Sequence, residues 1–141
     1  MIIKYKFVIF FGGLNKFMPK LSAFFLIFVL GAIGFPGTSG FVGEYLTLLS
    51  AYARNTIIAV VASTGVILAA SYMLLLYKNV FLGPVSEKIS KKVNDLNIYE
   101  ISVYILLIIL IFIIGIKPNF LLDYTSASIE RIIKLYPISI L

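Results

Sequence analysis

Apolar positions along this chain fall into three long runs, Leu21 to Ala53, Thr56 to Tyr77 and Ile101 to Ile116, separated by polar or charged stretches. The first run holds 33 residues between Lys20 and Arg54. As one straight helix it would be about 50 Å long, against a hydrocarbon thickness of ~30 Å. Pro36, with Gly34, Gly37 and Gly40, offers the way out: proline removes a backbone donor and glycine tolerates open backbone. The pattern therefore predicts two half-helices, Leu21–Ile33 and Phe41–Ala53, joined by a non-helical link. Such a link is tolerated at membrane depth only inside protein or beside water.

The second run has 22 residues without a charge and reads as an ordinary spanning helix. Its Ala62, Gly65 and Ala69 share a face suited to close helix packing. The third has 16 residues, so it spans by drawing in Ile98 and Tyr99 while Lys117 snorkels, and Pro118 ends it. Lys78 to Asn97 reads as a solvated loop with a Gly83-Pro84 turn. After Asn119 the chain turns amphipathic, with Ile129, Ile132, Ile133 and Tyr136 at helical spacing and Glu130, Arg131 and Lys134 off that stripe.

Basic residues set the orientation. Four precede the first span (Lys4, Lys6, Lys16, Lys20), Arg54 alone follows it, and four lie in the next loop (Lys78, Lys88, Lys91, Lys92). The bias puts the N-terminus in the cytoplasm and the C-terminus outside, with Lys117, Arg131 and Lys134 as a weaker opposing group. The apolar stretch Phe7 to Phe11 is shorter than a signal-peptide core, so no cleaved signal is expected. The expected fold is all-α and transmembrane, with three spans, the first discontinuous, and a C-terminal amphipathic helix. Its segments are a cytoplasmic N-terminal stretch (1–20), a broken membrane helix (21–53), a membrane helix (56–77), a cytoplasmic loop (78–97), a third membrane helix (98–117) and an amphipathic tail (118–141).

Composition narrows the chemistry. Hydrophobic residues make up 61% of the 141 positions, charged residues 13%, and the mean hydropathy is +1.07, leaving too little polar surface to coat a soluble domain. Cys, His and Trp are all absent. That composition excludes thiolate-held iron–sulfur clusters, His-ligated haem, the usual structural zinc sites and His-dependent nucleophilic catalysis. The net charge of +6 sits outside the apolar runs and lacks interleaved exposed aromatics, which argues for membrane topology and against nucleic-acid binding.

One residue stands out. Glu44 is the sole charge between Lys20 and Arg54, and it follows Gly34-Phe35-Pro36-Gly37-Thr38-Ser39-Gly40. A carboxyl at membrane depth beside a helix break points to ion or proton handling. Amides and dipole at the start of the second half-helix favour the carboxylate, by up to about 2 kcal/mol, whereas desolvation favours the neutral acid. No Lys or Arg of these spans reaches mid-membrane, so a compensating cation has to come from elsewhere. Thr47, one turn on, is a candidate hydrogen-bond partner. A fixed structural hydrogen bond or salt bridge is the competing reading of Glu44. Ser63, Thr64, Ser71 and Tyr72 are weaker candidates for a water path, because such hydroxyls more often bond their own backbone or a neighbouring helix. The glycines at 31, 34, 37, 40 and 43 mimic a collagen period that five triplets with one proline cannot support.

Gly12-Gly13-Leu14, Met18-Pro19, the stretch from Gly34 to Glu44, and Tyr72 through Phe81-Leu82-Gly83 resemble the C-terminal part of subunit M of the proton-translocating NADH:quinone oxidoreductase, respiratory complex I. The likeness runs from about Gly12 to Gly83 and is most specific between Gly34 and Glu44. That antiporter-like family also includes subunits L and N and the Mrp-type cation/proton antiporters; its other members typically carry lysine at the broken-helix position, and glutamate there selects subunit M. The resemblance implies a membrane-arm subunit in which Glu44 is a terminal proton site of a line of buried charges. NADH, flavin, iron–sulfur clusters and quinone are then expected on other subunits, none of these cofactors in this chain, and the partners are other complex I membrane subunits and the lipid bilayer. The expected location is the bacterial cell (inner) membrane. Full family members have many more spans, so the resemblance also implies a C-terminal fragment with a fortuitous start over Met1 to Phe11. A subunit of an Mrp-type antiporter and a structural membrane fragment without transport remain as alternatives.

Overall fold

The computed structural model describes residues 12–85 and 94–135. Expectations resting on Met1 to Phe11, on Glu87, Lys88, Lys91 and Lys92 of the loop, on Tyr136 and the residues after it, and on the side chain of Ile133 lie outside the described residues.

The described residues form a short 3-10 turn, Leu14–Lys16, and five α-helices: α1 (Pro19–Ala32), α2 (Ser39–Arg54), α3 (Thr56–Phe81), α4 (Ile98–Ile116) and α5 (Asn119–Leu135). All regular structure among them is helical. Helices α3 and α4 are long and apolar enough to cross a membrane, while α1 is apolar but shorter.

Between α1 and α2 the chain leaves helical geometry for a reason written in its residues. Gly34 takes a left-handed φ of 70° directly after the α1 cap, Ile33, and the Phe35 amide donates to the Leu30 carbonyl at 3.0 Å, a Schellman closure that glycine favours. Pro36 and Gly37 then occupy the two central positions of a tight turn. Pro36 fixes its own φ, Gly37 supplies a φ of 94°, and the Thr38 amide closes onto the Phe35 carbonyl at 3.0 Å, the signature of a type II turn. The Thr38 hydroxyl donates to the same carbonyl at 2.7 Å and is almost wholly buried. Helix α2 begins at Ser39, two residues earlier than the sequence pattern suggests. Gly40 is therefore helical. Its missing side chain serves packing, since a Cβ there would run into the Gly31 carbonyl where α2 leaves α1.

Asn55 alone joins α2 to α3, and its Oδ1 accepts from the Ile57 and Ile58 amides at 2.8 and 3.4 Å. Helix α3 is about 39 Å long at ~1.5 Å per residue and returns alongside α1 and α2 in the opposite direction. It runs through Phe81, four residues beyond the uncharged run, so Lys78 belongs to the helix and the loop starts later than expected. Packing explains the extension: Phe81 is buried, with its ring 5.0 Å from Phe25 and 5.2 Å from Tyr77. Ser22 and Tyr77 share a hydrogen bond of 3.0 Å beside this aromatic group.

Helix α4 opens with a capping box in which the Asn97 side chain accepts from the Glu100 amide and the Glu100 carboxylate accepts from the Asn97 amide at 2.8 Å, while Asn97 Oδ1 also accepts from the Ile98 amide at 2.7 Å. It runs parallel to α1. Tyr104 packs on Phe24 and Phe28, Ile111 meets Gly31, and Gly115 reaches the Gly37–Thr38 backbone. After Lys117 and Pro118, α5 begins, carrying exposed Phe120, Tyr124, Ile129 and Ile132. Most large apolar side chains of α3 and α4 also point outward, as expected where lipid or other helices supply the surroundings.

Candidate functional site

The site is built around the helix break. Glu44 is the sixth residue of α2, and side chains of a helix lean toward its N-terminus, so its carboxyl reaches back over the turn that precedes the helix. There it meets Gly34. A Cβ added at Gly34 would stand 2.9 Å from Glu44 Cδ and 3.4 Å from Oε1, and would overlap Oε2. The half-buried carboxyl thus lies against main chain at the end of α1.

Several features fix that position. Gly34 and Gly37 hold the left-handed angles, Pro36 sits between them, and Thr38 locks the turn through two bonds to the Phe35 carbonyl. Gly115 of α4 presses on the same turn, where a Cβ would collide with the Gly37 carbonyl and the Thr38 backbone. Nothing in the sequence singles out Gly115. One glycine near the end of an apolar run carries no signal until its neighbour is known.

The expected hydrogen-bond support from Thr47 takes another form. Its exposed hydroxyl donates to the Gly43 carbonyl at 2.7 Å, the i−4 bond open to threonine within a helix, and is thereby turned to its own backbone rather than to Glu44. Ser63, Thr64 and Ser71 likewise donate to the Val60, Val61 and Ile67 carbonyls of α3. A Cβ added at Gly65 would meet nothing within 4 Å among the described residues, so no neighbouring helix packs closely on the small face of α3 there.

At the opposite end of α1 lies an electrostatic feature that the sequence did not reveal. The Asp95 carboxylate accepts from the Lys20 and Leu21 amides at 3.1 and 3.3 Å, and from the Leu96 amide at 2.8 Å. Met18 has no side-chain acceptor for the first turn of α1, and Asp95 supplies one from across the fold. Partial desolvation pushes this carboxyl up, but the three amides and the Lys20 charge outweigh it and hold the group below its ordinary value.

No cysteine occurs in the chain, and no cluster of three or more His, Cys, Asp or Glu suited to a metal is present among the described residues. What the geometry offers is one carboxyl seated against the turn between α1 and α2. Residues 4–80 match the family described as NADH:quinone oxidoreductase/Mrp antiporter, transmembrane, and the chain belongs to that family. The NADH-quinone oxidoreductase subunit M of Rickettsia conorii is 44% identical over 123 residues, covering 87% of this chain and 25% of that protein. The NADH-ubiquinone oxidoreductase chain 4 of Arabidopsis thaliana is 35% identical over 131 residues, covering 93% of this chain and 26% of that protein. Among solved structures, a chain of respiratory complex I from Thermus thermophilus with bound NADH superposes with a TM-score of 0.72 at 33% identity, over 80% of this chain and 23% of that one. The chain spans about a quarter of the length of these relatives.

Proposed function

We propose that this chain forms part of a proton-translocating, subunit M-like component of NADH:quinone oxidoreductase, in which Glu44 takes up and releases a proton as quinone reduction is coupled to transport. The observation that carries this reading is the seat of the Glu44 carboxyl on the non-helical turn between α1 and α2. Membership of the antiporter-like family and likeness to proteins named subunit M and chain 4 support it.

In this reading α1 and α2 together make one discontinuous span, α3 and α4 make two continuous ones, and α5 follows as an amphipathic tail outside the bilayer. The start of α1 and the loop after α3 face the cytoplasm of a bacterial cell. The interrupted helix gives a mid-membrane carboxyl access to polar backbone and water that an unbroken helix denies it. Partners are the other membrane subunits, and the cation that stabilises ionised Glu44 comes from segments outside this sequence or from a neighbouring subunit. NADH, flavin, iron–sulfur clusters and quinone are bound by other subunits of the assembly.

The test is Glu44→Gln in the complete assembly, which removes the titrating group and keeps its size. NADH-driven proton translocation in sealed membrane vesicles falls, and wild-type translocation would remove the proposal. The family description also names Mrp antiporters. Transport that depends on sodium or potassium and is indifferent to NADH would favour that reading instead.

A further inference from the structure

We propose that Gly34 is a positioning residue for proton exchange at Glu44: by carrying no side chain, it lets the carboxyl rest on the backbone of the helix break. The inference rests on the reading of Glu44 as a proton-exchanging group.

Two requirements meet at this residue. Its φ of 70° closes α1, and other residues, asparagine above all, also adopt that angle. The second requirement is clearance, which glycine alone meets. An alanine Cβ would stand 2.9 Å from Glu44 Cδ, closer than non-bonded carbons approach, and Oε2 would have to leave its place altogether. The flexible glutamate side chain yields more readily than the packed turn beneath it, so the substitution swings the carboxyl off the break. Proton exchange depends steeply on donor–acceptor distance, and a displacement of about 1 Å is enough to cost up to about a hundredfold in rate.

Gly37 provides an internal comparison. It too has a left-handed φ, 94°, but among the described residues nothing lies within 4 Å of where its Cβ would stand. Gly34→Ala and Gly37→Ala therefore both force a side chain into a left-handed backbone conformation. Only the first intrudes on Glu44.

The experiment measures NADH-driven proton translocation per assembled complex in sealed vesicles for G34A, G37A, E44D, G34A/E44D and E44Q. Translocation in G34A falls below that in G37A by on the order of tenfold. E44D alone also loses rate, because a chain one methylene shorter withdraws its carboxyl from Gly34, yet in the G34A background the same shortening makes room for the new methyl group and the double variant outpaces G34A. Equal rates in G34A and G37A, or a double variant slower than G34A, would overturn the positioning role. Should G34A fail to assemble, E44D decides, since it leaves the break untouched and keeps a titratable carboxyl: a reduced rate supports the proposal and a wild-type rate overturns it. E44Q separates the two claims. A wild-type rate there removes the proton-exchange reading itself, whereas an impaired E44Q with equal G34A and G37A removes only the role of Gly34.

Discussion

Asp95 accepts a hydrogen bond from the Lys20 backbone amide at 3.1 Å, across 75 positions of sequence, and with the adjacent Leu21 amide it caps a helix that has no cap of its own. The contact ties the loop before α4 to the start of α1, so the two parallel helices share one anchored end. Asp95→Ala leaves both amides without this acceptor and is expected to cost about 1 kcal/mol. The carboxyl is held low in the folded state, so the cap contributes fully above the ordinary aspartate range. It is lost as pH falls through the folded-state value. Thermal denaturation of the assembled protein across an acid pH series checks this, with the wild type losing stability toward acid and Asp95→Ala losing that part of the dependence.

Ser22 and Tyr77 form another long-range polar contact, at 3.0 Å, with Ser22 almost wholly buried. Removing one hydroxyl strands the other between α1 and α3, and bonds of this kind between membrane helices are worth about 0.6 kcal/mol on average. Tyr77→Phe is expected to destabilise by about that amount. The double change Tyr77→Phe with Ser22→Ala should cost less than the sum of the two single changes, because it leaves no unpaired hydroxyl. A double-mutant cycle on the denaturation midpoint reads the coupling, and strictly additive effects would show that the two hydroxyls do not act together.

Gly115 lets α4 close on the turn between α1 and α2. Alanine is ordinarily the better helix former by about 1 kcal/mol, yet here its Cβ meets backbone that has no side chain to move aside. Gly115→Ala is therefore expected to destabilise by about 1–3 kcal/mol, the reverse of the propensity effect. The same denaturation measurement decides the sign.

Legibility in the sequence differs residue by residue. Pro36 and Gly37 announce an interruption because their backbone restrictions are local, and local restrictions survive whatever packs around them. Glu44 stands out because a lone charge in an apolar run is costly to keep and rarely persists without a task. Its contact with Gly34 is out of reach, since nothing in the spacing tells which way a half-helix turns after a break. Thr47 misleads for the converse reason: it lies one turn from Glu44, but a threonine hydroxyl inside a helix finds its own i−4 carbonyl first. Gly40 reads in sequence as part of the link and proves to be a contact point with Gly31 in the first turn of α2, because a glycine needed for clearance and one needed for flexibility look alike in sequence. Asp95 and Gly115 are invisible, as both act on segments dozens of residues away.

The most direct test is infrared difference spectroscopy of the complete assembly, recorded as quinone reduction is triggered. A side chain that exchanges a proton shows a protonated-carboxyl band that changes with turnover and shifts in deuterated water. We expect such a band in the wild type and its loss in Glu44→Gln. An identical difference spectrum in the two proteins would contradict the assignment of proton exchange to Glu44.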